Sequence, residues 1–492
     1  MKFESNKNDT SLPNGKDTKI LNPQFNFEGL KKHIQELSKP EPVKSVKPVK
    51  EILNWIIENF EPIDFDKEVN NNNEKNKILE KHYRIILLEK LIEFLDKTDY
   101  SFLVHNEKIY LFNGAYWVQV DRIAVQFFLD KLARKTKIPK FSWRNYEFTD
   151  KLLKQFYKEF TKENDKPEKI LINFQNGTLE IHEGNYKLRP FNKNDFLTYI
   201  LPFEYNKNAT CGLFKQFLDR VLPDKERQNV LQEYLGYVFT KGLKLEKALI
   251  LCGSGANGKS VLFDVINALF ENNITNYSLE SLTDKTGYYR AKIENVLINY
   301  TSELSTKLET DTFKQLVSNE PIQARLPYGI PYTIHNYAKL VFNCNELPKD
   351  VENSHAFFRR FLIIPFDITI PENERDPELA KKIIENDLPG ILNWILQGLE
   401  RIVINKKFSH CKACEDVLKE YKKESNSVLM FIDEFDIKPN IQRCLLSELY
   451  QKYKSYCVES GFKSVSIKGF AKRLREQSFT VQKGTDNKTF VS

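Results

Sequence analysis

The sequence lacks any long apolar run, since no window approaches the roughly 18 consecutive apolar residues of a membrane-spanning helix. Its first residues, MKFESNKNDTSLPNGK, are polar and lack the apolar centre of a signal peptide. We therefore expect a cytoplasmic protein with no membrane attachment. The chain also has no internal repeat, which argues against a repeat architecture.

Cysteine is scarce and irregularly spaced. The chain has seven cysteines, an odd number, at positions 211, 252, 344, 411, 414, 444 and 457, and this pattern excludes a disulfide framework. Cys411 and Cys414 form a lone C-x-x-C next to His410. A zinc site would need a fourth ligand and a second knuckle, and the sequence shows neither, so we interpret the pair as two thiols one helical turn apart.

The charge is uneven along the chain. The 492 residues, of which 41% are hydrophobic and 29% charged, suffice for roughly three domains with real cores. The formal net charge is +7, and residues 438–492 hold eleven Lys or Arg against four Asp or Glu, which accounts for the entire excess. This basic end predicts a nucleic-acid contact, with a solvated lysine-rich segment as the alternative.

Helix and strand patterns divide the chain into six segments. Residues 1–80 contain a Pro- and Lys-rich linker and an asparagine run, so we expect part of this segment to be disordered, with one short helix at VKEILNWIIENF. The other segments are an α+β region at 81–205, a helical unit at 206–245, an alternating strand–helix core at 246–375, helices at 376–436 and a basic unit at 437–492.

Two hairpins are predicted in the α+β region. Asn113-Gly114 and Asn176-Gly177 each lie between alternating strands. Because Asn-Gly suits the positive φ of a tight hairpin turn, we expect a two-residue turn at each site.

The stretch ALILCGSGANGKSVLFDVINALF contains the pattern G-x-x-x-x-G-K-[ST] between an apolar run suited to a buried strand and a helical stripe. Glycines allow positive φ and close backbone approach, so successive N–H groups can line an anion site at a helix N-terminus. Lys259 would reach the β- and γ-phosphates of ATP, and Ser260 would give its hydroxyl to Mg²⁺. The predicted phosphate-binding residues are Gly253, Ser254, Gly255, Ala256, Asn257, Gly258, Lys259 and Ser260.

An ATPase also needs an acid, a polar sensor of the γ-phosphate and a positive charge for the transition state. In ENVLINYTSELS, Glu303 follows an apolar run, and we expect it either to polarise water or to hold Mg²⁺. In YAKLVFNCNELP, Asn345, with Asn343 as second choice, follows another run as an uncharged sensor. In HAFFRRFLIIPF, Arg359 and Arg360 precede a third run, where each would face an anion or form a structural salt bridge.

Taken in order, these pieces resemble a superfamily 3 helicase, and most closely the helicase part of the phage/plasmid primase family and of the poxvirus primase-helicase. The resemblance rests on GSGANGKSV, NYTSEL, FKQLVSNEPIQAR, LVFNCNELP and FFRRFLIIPF. It extends upstream through NGTLEI, LRPF and LPFEY and covers residues 100–492. The short separation of Lys259 from Glu303 suits this superfamily.

The resemblance implies an AAA+-like ATPase core and a homo-oligomeric ring, a hexamer, with ATP between subunits and Arg360 supplied in trans. It implies 3′-to-5′ movement along single-stranded DNA, acting on forked DNA in the replication of a phage, plasmid or virus. It also implies a hairpin within PIQARLPYGIPYTIHN that enters the channel, its tip near Tyr328-Gly329, with Lys314 and Arg325 at charged positions of the family motif. The tip lacks the usual lysine or histidine, so Tyr328 would instead stack on a base.

The basic unit at 437–492 combines two amphipathic helices with a hairpin. This order is typical of a winged helix set against DNA, with Ser466 as the N-cap of the second helix. A basic cap that binds protein is the alternative. The predicted DNA-binding residues of the second helix are Lys468, Lys472, Arg473 and Arg475.

Family members often carry an N-terminal primase domain, but residues 1–80 are short and polar and hold no acidic cluster for two-metal nucleotidyl transfer. We therefore predict a helicase, with any primase a separate protein. The predicted fold class is α/β, with a parallel-sheet P-loop core, an α+β N-terminal region, a helical collar and a C-terminal winged-helix-like domain. The alternatives are an origin-binding initiator without unwinding activity, a primase-associated NTPase, and an NTPase of another kind, such as a chaperone or a kinase.

Overall fold

The computed structural model describes residues 46–69, 77–162, 169–304, 309–348, 354–439, 443–484 and 488–492. The asparagine run and most of the predicted linker lie outside these residues. The described part begins with helices α1 (Val49–Asn59) and α2 (Phe65–Val69). Ile52 and Ile56 of α1 are buried in the same core as elements after residue 80. The helix predicted in VKEILNWIIENF is therefore confirmed, and it belongs to the N-terminal domain.

The rest of the N-terminal domain packs helices on a three-stranded antiparallel meander. Its elements are α3 (Glu80–Leu95), β1 (Ser101–His105), β2 (Lys108–Phe112), β3 (Trp117–Val120), α4 (Arg122–Lys135), α5 (Lys140–Trp143) and α6 (Tyr146–Phe160). Asp121 caps α4 and Asn145 caps α6, each accepting from a backbone N–H of the first turn. The apolar faces of α4 and α6 meet Phe102 of β1 in one core.

The first predicted turn is wrong in its position. Because β3 begins only at Trp117, Asn113-Gly114 belongs to a four-residue loop between β2 and β3. The Asn113 side chain accepts hydrogen bonds from two backbone N–H groups of that loop at 3.0 and 2.9 Å, which stabilises the longer form. The two-residue turn lies instead between β1 and β2, at Asn106 and Glu107, both with positive φ.

A second antiparallel meander contains β4 (Ile170–Phe174), β5 (Gly177–His182) and β6 (Asn185–Arg189). Its first turn is displaced by one residue from the prediction, to Gln175-Asn176, because Gly177 already pairs in β5. Gly177 has a φ of 138°, and a side chain there would collide with the backbone of Arg189. The apolar side chains of this meander pack in the core of the next unit rather than with α1–α6.

The centre of the chain is a five-stranded parallel sheet, which confirms the predicted α/β core. Its strands lie in the order β13 (Phe361–Pro365), β7 (Ala248–Cys252), β12 (Lys339–Cys344), β9 (Ile298–Thr301) and β8 (Ile274–Thr275). Leu249 and Leu251 of β7 point into one core, and Ala248 and Ile250 point into the other, so helices cover both faces. The elements before and within the sheet are α7 (Gly212–Val221), α8 (Lys225–Tyr237), β7 (Ala248–Cys252), α9 (Lys259–Phe270), β8 (Ile274–Thr275), α10 (Leu279–Thr283), β9 (Ile298–Thr301), α11 (Thr310–Val317), β10 (Ile322–Ala324), β11 (Tyr332–Ile334), β12 (Lys339–Cys344), α12 (His355–Phe358) and β13 (Phe361–Pro365).

Strands β10 and β11 form an antiparallel hairpin beside the sheet. Tyr328 and Gly329 lie in the loop between them, which confirms the predicted hairpin and its tip. Tyr328 is fully exposed, whereas Ile322 and Ile334 at the base are buried against the sheet. The hairpin therefore has a fixed base and an accessible tip.

Three helices follow the sheet: α13 (Leu379–Asn405), α14 (Lys412–Glu424) and α15 (Ser427–Glu434). Helix α13 crosses α8 closely, because Gly236 and Gly398 leave no side chain between the two backbones. A Cβ at Gly236 would collide with Leu399, and one at Gly398 with Gln232. This crossing fixes the predicted helical unit to the face of the sheet.

The C-terminal unit has a core of its own. It contains β14 (Cys444–Leu445), α16 (Leu446–Glu459), α17 (Ile467–Glu476), β15 (Val481–Lys483) and β16 (Thr489–Val491), in the sheet order β14-β16-β15. Ser466 accepts a hydrogen bond from the Gly469 N–H, which confirms the predicted N-cap. None of the described helices is both long enough and apolar enough to cross a membrane.

Candidate functional site

The loop between β7 and α9 has the conformation that its glycines predict. Gly255 and Gly258 have φ of 109° and 86°, in the left-handed region that favours glycine. Gly253 has no space for a side chain, because a Cβ there would collide with the Asn257 amide and the Phe366 carbonyl oxygen. The loop turns tightly into the N-terminus of α9, whose first N–H groups have no partner within the helix.

The Lys259 side chain lies back across this loop. Its Nζ donates to the carbonyl oxygen of Gly253 at 2.7 Å and to Oδ1 of Asn257 at 2.9 Å. Lys259 is 6% exposed, and burial lowers the pKa of its ammonium group from the usual value. Because both of these partners are uncharged, the positive charge remains available to an anion.

The loop opens on a cleft of about 800 Å³ at the carboxyl edge of the sheet. Ser260, Glu303, Asn343 and Asn345 line the same cleft. Glu303 comes just after β9, and Asn345 follows β12 directly. The structure therefore brings the predicted loop, acid and amide together, since parallel strands end at the same edge of a sheet.

The two asparagines differ in their surroundings. Asn343 is 4% exposed, and its Oδ1 accepts a hydrogen bond from the Tyr300 hydroxyl at 2.9 Å. Asn345 follows the strand and is exposed on the cleft. The preference for Asn345 as the sensor is compatible with this geometry and stays a prediction.

Helix α7 forms part of the cleft wall, which the sequence analysis missed. Phe217 and Arg220 of α7 line the cleft, and so does Arg375 in the segment before α13. A Cβ at Gly258 would collide with Val221 and Phe217, so α7 lies directly against the loop. The sequence predicts α7 only as part of a separate helical unit, and no signal in it marks the side that faces the loop.

Two thiols lie beside the loop. Cys252 and Cys344 pair in register at the ends of β7 and β12. The hydrogen bond between them lowers the pKa of the Cys252 thiol and, together with burial, raises that of Cys344. The positive charge of Lys259 favours the thiolate form of Cys252.

The predicted arginines lie at the amino edge of the sheet, opposite the loop. They directly precede β13, whose five residues span roughly 16 Å between the two edges. Arg360 is 8% exposed, and its guanidinium donates to Ser318 Oγ at 3.0 Å and to the Ala356 carbonyl oxygen at 2.5 Å. The Arg359 side chain is 44% exposed and lies 2.5 Å from the Glu246 carboxylate. The role of Arg360 in trans stays a prediction, although Arg359 is the more accessible of the two.

Three family models match successive parts of the chain. One described as D5 N terminal like matches residues 76–223, a family of unknown function (DUF5906) matches residues 251–360, and one described as poxvirus D5 protein-like matches residues 423–490. A putative helicase L207/L206 of Acanthamoeba polyphaga mimivirus is 25% identical over 242 residues, which are 46% of this chain and 24% of the relative. A DNA primase-polymerase of Nitratiruptor phage NrS-1 is 23% identical over 233 residues, 45% of this chain and 31% of the relative.

These matches show a likeness to the phage and viral primase–helicase family. This finding confirms the resemblance seen in the sequence, and the chain spans between 24% and 31% of the length of these two relatives. Among solved structures, an A-form apo structure of the NrS-1 C-terminal region (305–718) is 16% identical, with a TM-score of 0.47 over 83% of this chain and 99% of that chain. A second A-form apo structure of the same region has a TM-score of 0.46 at 16% identity, over 85% of this chain and 99% of that chain.

The predicted DNA contacts of the central unit lie on and before the hairpin. Tyr328 is exposed at the tip with a φ of 59°. Arg325 Nε donates to the Gly329 carbonyl oxygen at 3.0 Å, so this side chain closes the tip. Lys314 lies on α11, 3.4 Å from Asp311. The structure brings Arg325 and Tyr328 into one loop and leaves Lys314 on the preceding helix.

The remaining predicted contacts lie in the stretch that matches the poxvirus D5 protein-like model. Lys468, Lys472 and Arg475 are exposed along α17. Arg473 is half-buried and donates to Asn426 Oδ1 at 3.2 Å. Three of the four side chains thus form an exposed basic face, and the fourth contacts the preceding helix α15.

Proposed function

We propose that this chain is an ATP-dependent DNA helicase of the superfamily 3 type, which acts in the replication of a phage, plasmid or virus. One observation carries the proposal: Lys259, Glu303 and Asn345 meet in one cleft at the carboxyl edge of a parallel sheet. The family supports it, since the relatives are described as a helicase and a primase-polymerase. Because the chain spans only part of those relatives, hydrolysis and unwinding are proposed for this chain on its own residues.

The residues of the cleft fit ATP with Mg²⁺. Gly255 and Gly258 give the loop its tight turn, and Lys259 lies across the loop with uncharged partners. Ser260 and Glu303 are exposed on the same cleft and offer the oxygen ligands that Mg²⁺ prefers. When bound, Mg²⁺ neutralises charge on the phosphates.

Three side chains of the cleft have separate roles in the hydrolysis that we propose. Lys259 holds the β- and γ-phosphates, and Asn345 orients the γ-phosphate and water through its uncharged amide. Glu303 accepts a proton from the attacking water or holds the metal through its carboxylate. Phe217 and Arg220 of α7 close the opposite side of the cleft.

The ring is proposed from the position of the arginines. The exposure of Arg359 at the amino edge supports a contact with the ATP of a neighbouring subunit, and we propose Arg359 as the finger, with the predicted Arg360 as the alternative. A closed ring of identical subunits, a hexamer, supplies one such arginine to every site. We propose 3′-to-5′ movement along one strand of forked DNA, with Tyr328 stacking on bases in the channel.

The C-terminal unit is proposed to bind DNA as a winged helix. Its order of α15, β14, α16, α17 and the pair β15–β16 supports this assignment, with β14 completing the small sheet. The exposed basic face of α17, Lys468, Lys472 and Arg475, would lie against phosphates or in a groove.

The test compares ATP hydrolysis, with and without single-stranded DNA, and strand displacement on forked DNA. Lys259→Ala should lose at least about 100-fold in turnover and all unwinding, because the developing charge loses its ammonium partner. Lys154→Ala, an exposed lysine of α6, is the matched control and should behave as wild type. Near-normal turnover of Lys259→Ala would defeat the phosphate-loop assignment.

The same assay separates the alternatives. ATP-dependent DNA binding without strand displacement would favour an origin-binding initiator. Hydrolysis that DNA does not stimulate would favour a primase-associated NTPase.

A further inference from the structure

Cys411 and Cys414 lie beside two carboxylates that are distant in the sequence. Cys411 directly precedes α14, and Cys414 lies in its first turn. Asp224 is the N-cap of α8, and Glu226 lies in the first turn of that helix. One ligand atom each of Asp224, Glu226 and Cys411 lie within 4.8 Å of one another. The starts of two helices thus bring thiol and carboxylate groups to one point.

The second thiol, Cys414, lies beside this group of three and is in contact with the thiol of Cys411. Cys411 and Cys414 are 2% and 6% exposed, and their thiols share a hydrogen bond. That bond lowers the pKa of Cys411 to about 7, whereas it and burial raise the pKa of Cys414. Two thiols in contact, one helical turn apart, can serve as neighbouring ligands of one metal ion.

The cluster is held in place by contacts that do not involve the thiols. The Lys412 N–H donates to Glu226 Oε2 at 3.0 Å, which joins the two helix starts directly. Nearby, the buried carboxylate of Glu233 in α8 accepts from the Ser409 N–H at 2.8 Å and from its hydroxyl at 2.6 Å. The arrangement is therefore preformed by the fold.

The local charge leaves room for a cation. Arg227 is a positive group beside the cluster, with Nε 3.4 Å from Asp224 Oδ2. Its guanidinium also donates to Asp367 at 2.7 Å and to the Pro365 carbonyl oxygen at 2.8 Å. One arginine shared with Asp367 does not balance the two carboxylates, whereas a divalent ion would.

We propose that the two thiols and two carboxylates at these helix starts bind one structural zinc ion. Its ligands are Cys411, Cys414, Asp224 and Glu226. Zinc accepts mixed sulfur and oxygen ligands in a closed tetrahedral set, whereas Mg²⁺ and Ca²⁺ take oxygen. The sequence around Cys411 and Cys414 shows no fourth ligand. The fold brings two carboxylates to the thiols from the start of α8.

The ion would fasten α14 to the start of α8. Helix α8 follows α7 after a short turn, and α7 is a wall of the nucleotide cleft. The zinc would therefore fix the position of that wall without entering the chemistry. The inference does not depend on the proposed helicase activity, because the metal can be measured without nucleotide or DNA.

The first test is the zinc content of the full chain, purified without chelators under reducing conditions, and the spectrum after exchange of zinc for cobalt(II). We expect about one zinc per chain, and thiolate-to-cobalt charge-transfer bands with the visible bands of tetrahedral coordination. A chain that holds no zinc and binds neither zinc nor cobalt(II) on refilling would overturn the proposal.

The second test uses variants. Asp224→Asn keeps a good helix N-cap and removes the carboxylate, so zinc affinity should fall at least about tenfold in competition with a chromophoric chelator. Cys411→Ser should abolish stoichiometric zinc and weaken the charge-transfer bands. Cys444→Ser, in the C-terminal unit, is the matched control and should keep its zinc. Unchanged affinity in Asp224→Asn and Cys411→Ser would contradict the site, as would a Cys411–Cys414 disulfide in reduced preparations.

Discussion

The ion pair of Lys108 and Glu294 joins the N-terminal domain to the hairpin, at the end of the β10–β11 ladder next to the tip. The two side chains are 17% and 11% exposed. The Tyr332 hydroxyl, on β11, donates to Glu294 at 3.1 Å, and Lys108 Nζ lies 4.4 Å from the centre of the Tyr332 ring. One largely buried charge pair therefore connects β2 to the hairpin.

Removing one partner should cost much more than removing both. Lys108→Met keeps an apolar side chain of similar length but leaves the Glu294 carboxylate buried with its hydrogen bond from Tyr332. Breaking a buried pair in this way lowers stability by roughly 3–5 kcal/mol. Because the hydrogen bond from Tyr332 remains, we expect the free energy of local opening to fall by about 3 kcal/mol. Lys108→Met combined with Glu294→Gln removes the unpaired negative charge as well. We therefore expect the free energy of local opening to fall by only about 1 kcal/mol.

The assay is native-state hydrogen exchange of peptides covering residues 101–112 and 322–334, read by mass spectrometry. A loss of about 3 kcal/mol in local opening corresponds to roughly 100-fold faster exchange in Lys108→Met. Lys151→Met, which removes an exposed pair with Glu147, is the control and should leave these peptides unchanged. Equal exchange in the single and double variants, or no acceleration in the single one, would refute the reasoning.

Other predictions concern the subunit contact, the cleft and the DNA surface. Arg359→Ala should form rings that bind ATP but hydrolyse it at least about 100-fold more slowly, with rescue in rings mixed with wild type; activities that merely average would exclude a role in trans. Arg360→Ala should destabilise the fold by about 2 kcal/mol in thermal or urea unfolding, because it removes a buried guanidinium, and normal stability would show those contacts to be dispensable. Maleimide should alkylate Cys252 faster as pH rises towards its lowered pKa and should block ATP binding, with ATP protecting; an alkylated chain that still binds ATP would place the thiol outside the nucleotide's reach. Lys472→Glu with Arg475→Glu should weaken DNA binding and reduce the slope of log affinity against log salt by about 2, whereas an unchanged slope would favour a protein-binding cap.

The conformation of the predicted phosphate loop could be anticipated because its residues lie in one contiguous stretch. The glycines before Lys259 need positive φ or close approach, and apolar runs on either side define the strand and the helix. Glu303 and Asn345 could be placed at the same edge because each follows an apolar run, and parallel strands end together. Local pattern and sheet topology were enough for this part of the site.

The rest depends on contacts between distant segments. Phe217 reaches the cleft because α7 packs on Gly258, and nothing in the spacing of α7 encodes that partner. The carboxylate of Asp224 meets Cys411 only because α8 and α14 start side by side. The length of the turn at Asn113 also could not be predicted from the sequence. The Asn113 side chain stabilises a longer loop than the two-residue turn that Asn-Gly favours.

The opposite placement of Arg359 and the phosphate loop has a consequence for how activity depends on concentration. If the proposed ring is correct, a chain offers its arginine only to another copy. Contacts then run head to tail, and every open chain of subunits ends with one incomplete site. A head-to-tail dimer has at most one complete ATP site. Every site is complete only when the ring is closed. Dilution should therefore abolish ATP hydrolysis before the subunits unfold. Single-stranded DNA that helps the ring to close would restore hydrolysis.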